Sequence, residues 1–188
     1  MTGVQTCALP IYRAKCGIFI HWGPYCVPGC GNSNPWEVYA EWYWWYGHHR
    51  IADRTDVYNH QLNTYGPSLV CDHFFSNFTA KNWDAKSWVN LIADAGAQYF
   101  VLTTKHQNVF ALYDTKATTC RSSLHCGPRR DILNELFDAA KKYQPHLRRG
   151  TYFSLPEWVS TLRSIHLPFC FRDWISVGHP LLELIPDA

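Results

Sequence analysis

The chain has 188 residues, with 17 Lys and Arg against 15 Asp and Glu, and charged residues make up only 17% of it, below the roughly 25% of an ordinary soluble domain. A net charge of +2 with both signs interspersed excludes a nucleic-acid footprint, and no window of about 18 apolar residues is present to cross a membrane. Residues 1–10 lack the basic start and sustained apolar stretch of a secretory signal and read as a leader unrelated to the rest of the chain. Cys16-Gly-Ile-Phe-Ile20 is a short apolar run with β-branched and aromatic residues, which predicts a buried strand. It ends abruptly in His21-Trp22-Gly23-Pro24, so a strand's carboxyl end presents an imidazole and an indole at a tight turn. The region from Tyr25 to Phe78 has little periodicity. Its aromatic block, Glu41-Trp-Tyr-Trp-Trp-Tyr46, argues for an ordered excursion with short helical turns. From Asp84, a natural cap, Trp88, Leu91, Ile92 and Ala95 follow helical spacing, and Gly96 stops the helix. A strand over 99–104 ends at Lys105-His106. Gln107 to Cys126 is loop. Pro128 suits a first helical turn, and Ile132, Leu133, Leu136, Phe137 and Ala140 give an amphipathic helix with Lys141 and Lys142 at its basic end. A third strand spans 150–155, with Glu157-Trp158 just beyond. Residues 159–188 show no helix or strand repeat and read as an atypical tail.

This order predicts an α/β fold of parallel strands joined by right-handed helical crossovers. No glycine-rich phosphate loop succeeds the first strand, as a doubly wound sheet would have. The loops carry His, Glu and Trp instead, which favours the N-terminal portion of a (β/α)8 TIM-like barrel. Such a barrel needs about 250 residues, so residues 11–158 read as about three of its strands.

Chemistry in such a barrel gathers at the strands' carboxyl ends. His21 and His106 occupy matching strand ends and are expected to hydrogen-bond substrate hydroxyls. Glu41 is a carboxylate among large apolar groups, held there for a purpose. Trp42 is a candidate stacking wall, and Tyr152 a hydroxyl facing the cavity. Gln107, Asn108, Glu157 and Trp158 are candidates of second rank. Lys105 reads as the partner of a carboxylate under the site, Trp44 and Trp45 as packing, Arg129, Arg130 and Asp131 as helix-start charges, and Asp114 as a loop cap. An aromatic content of 16% with nine Trp beside these acids describes a carbohydrate cleft, because sugar C–H faces stack on rings while hydroxyls need directional partners. No metal-ligand spacing such as H-E-x-x-H occurs, so no metal or cofactor is expected. The eight cysteines make no C-x-x-C pair, and their pairing is not deducible. Asn77-Phe78-Thr79 is a glycosylation sequon, usable in a secreted chain.

The segment Ala14-Lys-Cys-Gly-Ile-Phe-Ile-His-Trp-Gly-Pro-Tyr-Cys-Val-Pro28 resembles the start of family 29 α-L-fucosidases, with a flavour similar to fungal members. The resemblance extends through Ala40–Trp45, Phe78–Trp88, Asp94–His106, Gly127–Asp131 and Gly150–Trp158. It implies a catalytic barrel that hydrolyses terminal α-L-fucose with retention, acting on a fucosylated glycan or glycoside in the secretory pathway or outside the cell. It also implies that His21, Glu41, Trp42, His106 and Tyr152 contact the sugar. The family pattern after the lysine is His-His, an acid, then Gly; here Lys105-His106 is followed by Gln107-Asn108-Val109. The family's aspartate nucleophile and its acid/base carboxylate lie beyond the third strand, so neither role is assigned in this chain. The alternatives at this point are a non-catalytic carbohydrate-binding fragment or pseudoenzyme, and a barrel glycosidase of another sugar specificity.

Overall fold

The computed structural model describes residues 16–31, 39–49, 55–115, 121–154 and 181–185. Strand β1, Gly17–Ile20, pairs in parallel with β2, Tyr99–Lys105, which pairs in parallel with β3, Arg148–Phe153. Between them lie α1 (Tyr43–His49), α2 (Thr55–Tyr65), α3 (Asp72–Asn77), α4 (Ala85–Asp94) and α5 (Ile132–Tyr143). The expected βαβ order is therefore present, and the long first connection carries three short α-helices, α1 to α3, ahead of α4 in its described parts.

The pleat divides the sheet into two faces. Ile18 and Ile20 stand in register with Phe100 and Leu102. These four side chains meet Val89 and Ile92 of α4 and Leu136 and Ala140 of α5 in the main core. The opposite face carries Phe19 level with Val101 and Gly150, then Thr103 level with Tyr152. β1 is less covered than its composition predicts: Phe19 is 46% exposed, because β1 lies at the sheet's edge and only its Ile18/Ile20 side packs against helices.

Asp84 caps α4 as expected, accepting from the backbone N–H groups of Lys86 and Ser87. Gly96 closes the helix with φ of 77°. The buried stripe, however, is Val89 and Ile92, while Leu91 is 70% exposed and Ala95 is also exposed. Pro128, expected in the first turn, precedes α5, which starts at Ile132; Asp131 caps it, its carboxylate accepting from Asn134 N at 2.8 Å and from Asp114 N at 3.0 Å. Asp114 is thus held by Asp131 through its own backbone. Trp22, expected at the strand's open end, turns instead into the core. Its ring lies 5.3 Å from Trp83, 5.0 Å from Trp88 and 5.0 Å from Phe78.

The tail also departs from expectation. Leu181–Ile185 forms β4, which pairs antiparallel with β3, Phe153 opposite Leu181 and Arg149 opposite Ile185. The run Leu-Leu-Glu-Leu-Ile is too short to display a repeat in sequence, but β3 offers it a free edge.

Candidate functional site

His21 comes one residue after β1, on the same face as Phe19, whose ring stacks on it at 4.9 Å. β2 delivers His106 just past its end, and β3 delivers Tyr152. The His21 ring lies 6.0 Å from His106 and 5.8 Å from Tyr152, and the rings of His106 and Tyr152 lie near-parallel at 6.4 Å. Three consecutive strand ends therefore converge on one place. Glu41 reaches it from the excursion, on a 3-10 turn over Ala40–Trp42 that runs straight into α1. Its Oε1 stands 3.7 Å from His21 Nδ1. One ligand atom each from His21, Glu41 and His106 lie within 4.8 Å of one another.

That spacing says what the trio can hold. Groups bonded to one hydroxyl oxygen at ~2.8 Å in tetrahedral directions sit about 4.6 Å apart. Ligands on a zinc ion at 2.0–2.1 Å would be drawn to about 3.4 Å. The 3.7 Å separation of His21 and Glu41 lies near the metal value and the 4.8 Å outer limit near the hydroxyl value, so either a hydroxyl or a cation fits the trio. His106 is buried, and that burial, with the nearby charges of His21 and Lys105, pulls its pKa down to about 3. At neutral pH its imidazole is uncharged, with one nitrogen donating and one accepting, a set matched to a hydroxyl.

The other expected residues divide. Trp42 is half-buried and stacks on Tyr46 at 5.7 Å, against the second apolar cluster of Tyr43, Val57 and Phe74. It flanks Glu41 and braces its turn. Trp44 and Trp45 pack against the two clusters, as expected. Lys105 is buried, donates from Nζ to the Ser154 carbonyl at 3.0 Å and lies over the Phe153 ring. It fastens the end of β2 to the end of β3. Asn108 is buried and accepts from Phe110 N. Gln107 is buried, and its Oε1 has no hydrogen-bond partner among the described residues. Val109, where the family resemblance places glycine, has φ of 71°, a conformation costly for a β-branched residue. Arg130 pairs with Glu135, which also accepts from Trp83 Nε1, so it belongs to the helix start as expected. Glu157 and Trp158 lie outside the described residues.

Two site residues are not apparent in the sequence pattern. Phe19 packs against His21 and, edge-on at 5.5 Å, against Tyr152; the signal was its place two residues before His21 on one strand face. Tyr25, buried in the turn after β1, sets its ring edge-on to His106 at 6.1 Å.

A sequence profile described as alpha-L-fucosidase matches residues 6–166. The chain belongs to the α-L-fucosidase family. It is 37% identical over 150 residues to the plasma alpha-L-fucosidase of Rattus norvegicus, covering 80% of this chain and 30% of that protein. A crystal structure of the Thermotoga maritima alpha-fucosidase in complex with fucose is 40% identical, with a TM-score of 0.66, over 75% of this chain and 32% of that one. The same enzyme with a mechanism-based inhibitor gives 39% identity and a TM-score of 0.68, over 77% and 34%. The chain thus spans about a third of the length of the fucosidases it matches. Its fold is that of the N-terminal portion of the family's catalytic (β/α)8 barrel, of which β1, β2 and β3 form part of the wall.

Proposed function

We propose that this pocket holds the α-L-fucosyl group of a fucosylated glycan or glycoside, and that the α-L-fucosidase to which the chain corresponds in part hydrolyses that group with retention of configuration. The observation that carries the reading is the convergence of His21, Glu41 and His106, with donor and acceptor atoms within 4.8 Å, at the sheet's carboxyl end. In this reading the two imidazoles and the Glu41 carboxylate bond the sugar hydroxyls, Tyr152 and Trp42 complete the walls, and Gln107, Glu157 and Trp158 contribute at the margin. The solved relative that carries fucose supports the choice of sugar.

Retention requires two carboxylates about 5–5.5 Å apart, one a nucleophile and one an acid/base. Among the described residues Glu41 is the acid at the pocket, and the reading assigns it to hydroxyls. The 188-residue chain is therefore expected to bind L-fucose without turning over an aryl fucoside. Isothermal titration with L-fucose and a panel of other monosaccharides tests it. Saturable binding that prefers L-fucose and is lost in Glu41→Gln supports the reading; preference for another sugar, or binding indifferent to Glu41, removes it. Turnover of the aryl fucoside by the pure chain would overturn the division between binding and chemistry.

Residues 11–158 are the catalytic-barrel segment in this proposal, residues 1–10 an unrelated leader and residues 159–188 an atypical tail. Passage through the secretory pathway is part of the same proposal. No helix among the described residues is long and apolar enough to cross a membrane. Asn77 is the exposed last residue of α3, and Thr79 is exposed beside it, so a glycosyltransferase has access to the sequon.

A further inference from the structure

Tyr25 stands outside the proposed set of sugar contacts, yet its surroundings are those of a ligand residue. It is only 9% exposed, and its hydroxyl has no hydrogen-bond partner among the described residues. Buried hydroxyls are nearly always bonded, because leaving one bare forfeits its hydration. The ring lies edge-on to His106, and beside it is a cavity of about 10 Å³, room for a single oxygen atom, that Glu41 and Asn108 also line. Burial, with Glu41, Cys26 and Tyr152 nearby, pushes the phenol well above its ordinary pKa. The group is therefore a permanent O–H, able to donate at any pH the protein meets.

We propose that Tyr25 is a further sugar-binding residue, whose hydroxyl donates to one ring hydroxyl of the fucosyl group at the floor of the pocket and so selects sugars that carry that hydroxyl. The inference rests on the proposed fucose site and deepens it. A site with a buried donor rejects a ligand that lacks the matching acceptor far more strongly than it favours an extra methyl group. Tyr25 would thereby add specificity from below, beside Glu41, while the more exposed His21 acts nearer the pocket mouth.

The test uses the intact chain and its Tyr25→Phe variant, titrated with L-fucose and with its 2-, 3- and 4-monodeoxy derivatives, and melted without ligand. Removing an unbonded buried hydroxyl leaves the ligand-free protein as stable or more so. The expected result is an unchanged or raised Tm together with an L-fucose Kd raised about tenfold. One deoxy derivative should bind both proteins equally weakly, identifying the hydroxyl that Tyr25 reads. A merely structural tyrosine behaves in the opposite way: a lowered Tm, including outright failure to fold, overturns the proposal. So does an L-fucose affinity equal to that of the unaltered chain. Either outcome with L-fucose still bound by the unaltered chain removes Tyr25 alone, whereas no L-fucose binding by the unaltered chain removes the fucose site and Tyr25 with it.

Discussion

Two residues show how much of this fold depends on single positions held in unusual surroundings. His106 is the first. Folding depresses its pKa from the ordinary 6.5 to about 3. Between those values the unfolded chain holds one proton more than the folded one, so stability rises with pH across that window. This contribution is complete above pH 6.5 and is lost as the pH falls toward 3, at up to roughly 1 kcal/mol per pH unit. Urea titrations between pH 4 and 7 should show that slope, and His106→Gln should flatten it. An unchanged slope in the variant would mean that the imidazole is not desolvated as described. Gly127 is the second. It adopts φ of 65° in the turn that precedes α5. A Cβ there would press on the Phe78 carbonyl oxygen and come within 2.6 Å of the Phe75 carbonyl oxygen. Both obstacles are backbone at the end of α3, so neither swings aside. Gly127→Ala is expected to cost about 2–4 kcal/mol, read as a lower urea midpoint at constant m-value. A neutral result would show that this loop is not seated against α3.

At the scale of elements, helix α4 shows what periodicity can and cannot tell. Its existence, cap and stop are legible because Asp84 and Gly96 act locally, through the nearest backbone groups. Its buried face is not, because Leu91 and Val89 are both apolar and only the neighbouring sheet decides between them. The structure buries Val89 and Ile92 against Phe100 and Leu102 and leaves Leu91 in solvent. Ile92→Ala should therefore cost about 2–5 kcal/mol. Leu91→Ala should stay within about 0.5 kcal/mol of the parent. Denaturant unfolding of the pair separates the two faces, and equal losses would restore the stripe that the spacing alone predicts. The same distinction explains the other differences. His21, His106 and Tyr152 are legible because each lies at a strand end, and strand ends can be located from short apolar runs. The inward turn of Trp22, the burial of Tyr25 and the pairing of Leu181–Ile185 with β3 depend on partners far away in sequence.

Over the whole molecule, the pocket is assembled across two apolar clusters that meet along α3, where Phe75 faces one and Phe74 the other, and at Trp44 of α1. The sheet and helices α4 and α5 share one cluster, and that body carries His21, His106 and Tyr152. Glu41 stands on the turn before α1, whose Tyr43 and Tyr46 belong to a second cluster with Val57 of α2 and Phe74 of α3. Tyr43 is nearly fully buried, its hydroxyl bonds His60 Nδ1 at 2.8 Å and its carbonyl accepts from Gln61 at 2.9 Å, so α1 and α2 move together. The Glu41 carboxylate can remain 3.7 Å from His21 only while this satellite stays docked. Phe74 sits at its centre, edge-on to Tyr43 at 5.9 Å and to Tyr65 at 5.3 Å. Truncating it to Ala removes about 3–5 kcal/mol of packing, centred on this second cluster. Local opening, not global unfolding, is then the first consequence. In Phe74→Ala, amide exchange should quicken across residues 43–49 and 55–65 while the amides of β2 keep their protection. L-fucose affinity should fall at the same time, although Phe74 lies outside the proposed set of sugar contacts. Uniform loss of protection through β2 would show that the two clusters form one cooperative core, and Glu41 would then owe its position to the sheet itself.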